Sequence, residues 1–124
     1  MRGLLDRGVQ VALGSDIAGG DQLAMNQVVV TTIRASKIKQ IETGAAFLTV
    51  PEAYYLGTTA GQRYFGGGAG FQKGCALHAI VVDDSTMPEP TRELGFAERF
   101  ERAVYLMEKR HIQAVYSEGR KVKG

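Results

Sequence analysis

The strongest constraint on the fold is a short apolar run, Val9-Gln10-Val11-Ala12-Leu13-Gly14, followed at once by the turn-rich Ser15-Asp16-Ile17-Ala18-Gly19-Gly20-Asp21. Five to six residues rich in valine and bounded by turn formers suit a buried strand. From Gln22 to about Lys39 the period changes. Met25, Val28, Val29, Thr32, Ile33 and Ser36 recur at spacings of three and four, which predicts a helix with Asp21 as its N-cap. Strand, loop and helix in that order make one β/α unit. A lone unit of this kind leaves its strand without parallel neighbours, so the sequence reads as a piece of something larger.

The flanking segments carry their own signals. Leu4-Leu5-Asp6-Arg7-Gly8 reads as the last turn of a helix closed by glycine. Thr49-Val50-Pro51-Glu52 fits a capping box, with Pro51 in the first turn of a second helix. That helix should break at Gly57-Thr58-Thr59-Ala60-Gly61, with a further turn through Phe65. Ala76 to Val82 reads as a strand, and Met87-Pro88-Glu89-Pro90 as an irregular loop. Phe96 to Lys109 reads as a helix, with Phe96, Phe100, Ala103, Val104 and Met107 on its apolar face. Ile112 to Tyr116 and Arg120 to Val122, around Ser117-Glu118-Gly119, form a hairpin.

Composition narrows the function classes. With 124 residues, 44% hydrophobic and 23% charged, the chain has the balance of a globular domain. No apolar run approaches the length of a membrane span, and the first residues lack the h-region and cleavage site of a signal peptide. One cysteine, Cys75, supplies neither an internal disulfide nor a thiolate metal site, which makes the cytoplasm the expected compartment. The net charge is +2, and acids interleave with bases, as in Glu98-Arg99-Phe100-Glu101-Arg102. That pattern is a solvated helix face, so neither nucleic acid nor a membrane is an expected partner.

The residue with the most chemical promise is Asp16. A carboxylate just past the carboxyl end of a buried strand occupies the place where barrel enzymes set their active sites, and it can ligate a divalent metal or take a proton. The same spacing equally suits an aspartate that caps its own turn, and spacing leaves both open. The glycine run Gly66-Gly67-Gly68-Ala69-Gly70 lacks the Gly-Lys-Ser/Thr and the preceding strand of a phosphate loop. His78, His111 and Cys75 read as structural, His111 because a helix carboxyl end favours a cation. Tyr54, Tyr55, Tyr64 and Phe65 read as packing residues.

Nearly the whole chain resembles the carboxy-terminal part of guanine deaminases of the amidohydrolase superfamily. The resemblance runs through Leu13-Gly14-Ser15-Asp16-Ile17-Ala18-Gly19-Gly20, Ile33 to Lys37, Thr49 to Gly61 and Phe71 to Gly74. It is most distinctive in Arg99 to Leu106 with the tail from Arg110 to Val122. It implies an α/β chain with an α+β tail. Residues 1–65 would be the last β/α unit of a TIM-like barrel with its following helices, and residues 66–124 the carboxy-terminal strands, with one helix, of a small β-sandwich. It further implies hydrolysis of guanine or a related purine to xanthine and ammonia by a metal-activated water. Asp16 would be the catalytic and metal-binding residue, Gly19 and Gly20 the loop beside it, and the metal zinc, or iron in some relatives. The complete enzyme would be a homodimer. The histidines and the glutamate that such a site also needs have no counterpart here, so the isolated chain is expected to be inactive. Two other expectations stay alongside: a related amidohydrolase acting on another heterocyclic C–N bond, and a non-catalytic interaction module derived from such an enzyme.

Overall fold

The computed structural model describes residues 1–17, 19–66 and 70–123, which fall into two units, 1–66 and 67–124. In the first unit the elements are α1 (Arg2–Leu5), α2 (Met25–Thr43), α3 (Val50–Gly57) and α4 (Thr59–Tyr64). In the second they are β1 (Ala79–Val82), α5 (Phe96–Leu106), a 3-10 turn (Lys109–His111), β2 (Ile112–Ser117) and β3 (Arg120–Lys123). The result is a small α+β assembly with a three-stranded antiparallel sheet. None of the described helices is long and apolar enough to cross a membrane.

Packing of α2 on α3 forms the core of the first unit. Val29, Val30 and Ile33 are buried on α2, and Leu48, Val50, Ala53 and Leu56 are buried on or beside α3. Each buried Val, Leu or Ile side chain among these is worth about 1.5–3 kcal/mol of burial, which outweighs weak local propensity in the valine-rich stretch. The helices approach closely because residue 57 is glycine: a Cβ there would stand 2.7 Å from Val29 Cγ2. Ser36 locks the same junction, its Oγ accepting from Leu48 N at 3.0 Å.

The sequence places α2 correctly in kind but not in extent. It begins at Met25, after Ala24 in extended conformation and with no side-chain cap, so Asp21 is not the N-cap. The loop takes up the residues up to Ala24, and a cap acts only from the position next to the helix. The helix then passes Lys39, because nothing opposes it until Gly44, whose left-handed φ of 71° ends it with its N–H on Gln40 O at 2.8 Å. The buried stripe is Asn26, Val29, Val30 and Ile33, while Met25, Val28, Thr32 and Ser36 are half-buried at its border.

The capping box at α3 is complete. Thr49 N donates to Glu52 Oε2 at 2.8 Å and Glu52 N donates to Thr49 Oγ1 at 3.4 Å. Arg2 of α1 then donates to both Glu52 oxygens at 2.9 Å and to Phe47 O at 3.0 Å, tying the start of the chain to this cap. Tyr64 and Phe65 are not core: they are 76% and 86% exposed and meet edge to face at 5.2 Å.

The expected first strand does not form. Among the described residues, its stretch is tied to backbone groups only where Val9 N donates to Leu4 O at 3.0 Å and Leu13 N to Leu56 O at 2.9 Å. A strand is defined by its ladder, and this one has no partner to make it.

In the second unit β2 lies between β1 and β3, with Ile80 opposite Val115 and Ser117 opposite Arg120. Glu118 and Gly119, at φ 50° and 77°, make the two-residue turn whose positive φ values match the twist of the flanking strands. The first strand of this sheet starts at Ala79 rather than Ala76. The helix α5 stops at Leu106, and Met107 and Glu108 link it to the 3-10 turn that begins at Lys109. Phe96, at 88% exposure, is not on its apolar face, whereas Val104 is buried.

Candidate active-site carboxylate and its loop

Asp16 lies in the loop between the extended segment and α2, three residues after Leu13 is pinned to α3 through Leu56 O. Its backbone has φ 49°, a left-handed conformation that aspartate tolerates better than most residues. Its carbonyl accepts from Gly19 N at 2.9 Å and also from Gly20 N, closing a tight turn. The side chain is exposed.

Space rather than unusual φ marks the two glycines: backbone excludes a side chain at residue 20, and at residue 19 the movable Asp16 carboxylate fills the room a side chain would take. A Cβ on residue 19 would stand 2.5 Å from Asp16 Oδ2 and 3.1 Å from its Cγ. A Cβ on residue 20 would collide with Ser15 O. The turn therefore keeps the Asp16 carboxylate folded back over Gly19, with Gly20 giving passage to the Ser15 carbonyl. Ala18, within the same motif, lies outside the described residues, as do Gly67, Gly68 and Ala69 of the mid-chain glycine run.

Among the described residues no group of three or more His, Cys, Asp or Glu side chains comes together. A catalytic zinc needs about three protein ligands and an open position. The described residues do not make such a site by themselves; Asp16 offers a carboxylate donor.

Both histidines and the cysteine fall in the second unit. His78 is exposed just before β1, and Cys75 is half-buried. His111 lies not at the end of α5 but in the 3-10 turn: it is 2% exposed, and its Nδ1 accepts from Glu108 N at 2.9 Å. The imidazole thus closes the 3-10 turn as a carboxylate closes a capping box. Its position after Lys109-Arg110 disguised this in the sequence, although the alternation of β2 begins immediately after it. Ser85 bonds to Asp83 and lowers its carboxyl pKa, and the Arg92 guanidinium, with Gly95 N–H, lowers that of Glu98 to about 2. Both are surface structural pairs.

No protein-family model matches the chain. It is similar to guanine deaminase from Dictyostelium discoideum, at 27% identity over 99% of this chain and 29% of that protein. Human guanine deaminase is 28% identical over 96% of this chain and 29% of its own length. Among solved structures, a guanine deaminase from C. acetobutylicum with guanine bound in its active site superposes at a TM-score of 0.88. It is 35% identical, over 97% of this chain and 29% of that one. The chain thus spans less than a third of each relative and corresponds to their carboxy-terminal portion.

Proposed function

We propose that this chain, a relative of the carboxy-terminal portion of guanine deaminases, is the part of such a hydrolase that brings one acidic side chain, Asp16, to the active site. In that reading residues 1–65 end a β/α barrel and residues 66–124 complete a small sandwich domain. The observation that carries it is the 0.88 TM-score at 35% identity to a guanine-holding structure, extending over 97% of the chain.

The reaction is hydrolytic. The oxygen of water bonds to the purine carbon that bears the amino group, the carbon–nitrogen bond breaks, and xanthine and ammonia leave. A carboxylate beside that carbon takes a proton from the water and returns it to the departing nitrogen, a transfer typically worth 10²–10⁴-fold. Asp16 fits the role by its position past the extended segment and by a turn that fixes its backbone. Any zinc or iron would count Asp16 as one donor among ligands from outside this chain.

Grafting this chain in place of the matching portion of the C. acetobutylicum enzyme tests the proposal. The graft should release ammonia from guanine, and the chain alone should release none. Activity of the isolated chain, or a folded graft that turns over a different heterocycle and not guanine, would overturn it.

A further inference from the structure

Both ends of the Asp16 loop come together at one residue of α3. The loop runs from Gly14 to Ala24, between Leu13 and Met25, the first residue of α2. A Cβ on Gly57, the last residue of α3, would stand 2.7 Å from Val29 Cγ2, 3.7 Å from Met25 Cε and 4.0 Å from Leu13 Cδ1. The residue before the loop, the residue after it and the core of α2 thus border the same point. Leu13 is held there by its backbone as well, its N donating to Leu56 O at 2.9 Å. Gly57 is not among the glycines with positive φ, so space is what its missing side chain provides. Val29 gives little room: it is 1% exposed, and a β-branched side chain in a helix keeps one favoured rotamer. A side chain at position 57 would shift α2 against α3, and the two ends of the loop would move with them.

We infer that Gly57 is a positioning residue for Asp16: it sets how closely α3 gathers Leu13 and Met25, and hence where the loop between them presents the carboxylate. The inference rests on the function proposed above, in which Asp16 is the reacting group. Misplacing such a group by about 1 Å can cost 10²-fold in rate. Gly57 acts only through Asp16, so the loss falls on kcat and leaves KM nearly unchanged.

The test places Gly57→Ala in the full chain and in the graft on the C. acetobutylicum enzyme. In the graft, kcat on guanine should fall at least tenfold with KM within threefold. Adding Val29→Ala removes Cγ2, the atom that the new Cβ meets, and should return kcat to within threefold. Leu13→Ala takes away the hold without adding bulk and should also lower kcat at least tenfold, which decides the matter even where Gly57→Ala does not fold. In the full chain, hydrogen exchange at the Leu13 amide should speed at least tenfold in Gly57→Ala and recover in the double variant, with the α2 amides protected throughout. Thr49→Ala loosens α3 at its other end and should leave kcat within threefold. Unchanged kcat and unchanged Leu13 exchange in Gly57→Ala would overturn the inference. So would a fall that Val29→Ala does not reverse, or an equal fall in Thr49→Ala, since either marks lost stability rather than a moved carboxylate. Should the unsubstituted graft fail to turn over guanine while the exchange pattern holds, the positioning contact stands and the proposed function falls. An active graft indifferent to Gly57→Ala does the reverse.

Discussion

The Asp16 carboxylate lies in the space that any side chain at position 19 would need, with Oδ2 2.5 Å from where a Cβ would stand. Gly19→Ala must therefore push the carboxylate aside. In the active graft, displacement of a reacting group by about 1 Å can cost 10²-fold in rate, so turnover of guanine should fall between tenfold and a hundredfold. The melting midpoint of the isolated chain should hardly move, because the loop is exposed. Steady-state ammonia release and a thermal melt check the two halves of this statement.

The capping box gives a stability prediction. Thr49→Ala removes the acceptor for Glu52 N and should destabilise the first unit by about 1 kcal/mol, measured by urea unfolding at neutral pH.

The same box has a pH signature. The Thr49 backbone N–H lowers the Glu52 pKa, opposed by burial and reinforced by the Thr49 hydroxyl and Arg2. A carboxyl with a lower pKa folded than unfolded stabilises fully above its unfolded value, near 4.5, and loses that contribution as pH falls through the folded value. The stability difference between the natural chain and Glu52→Gln should be constant from pH 8 to about pH 6 and shrink below about pH 4.5. An unchanged difference down to pH 3 would contradict it.

His111 supports the second unit as a buried acceptor. His111→Ala leaves Glu108 N without its partner and opens a void, which should cost about 2–3 kcal/mol by denaturant unfolding. His78→Ala, at an exposed site, should change stability by less than about 0.5 kcal/mol.

Much of this architecture was legible because it rests on local chemistry. Thr49 and Glu52 announce their helix three residues apart, and Glu118-Gly119 announces its hairpin, since both depend on neighbours in sequence. Asp21 misled because its side chain suits a cap while residues 22–24 stay outside the helix, which starts at Met25. Residues 9–13 read as a strand from their short valine-rich apolar run, yet a ladder depends on a partner that sequence alone does not supply. The burial of His111 was hidden because tertiary packing sets it, not the basic pair before it. That Asp16 lies in a turn after the apolar run was legible from the residues that follow it. The backbone clash that excludes a side chain at Gly20, and the contact of Gly19 with the Asp16 carboxylate, emerged only from the coordinates of the turn.

The central claim turns on the chemistry of one side chain. Asp16→Asn keeps the shape of the turn and removes the charge. In the graft, guanine turnover should fall at least 10³-fold, with the melting midpoint unchanged to within about 2 °C. Turnover within threefold of the unsubstituted graft would contradict the account, because Asp16 would then be a turn residue and nothing more.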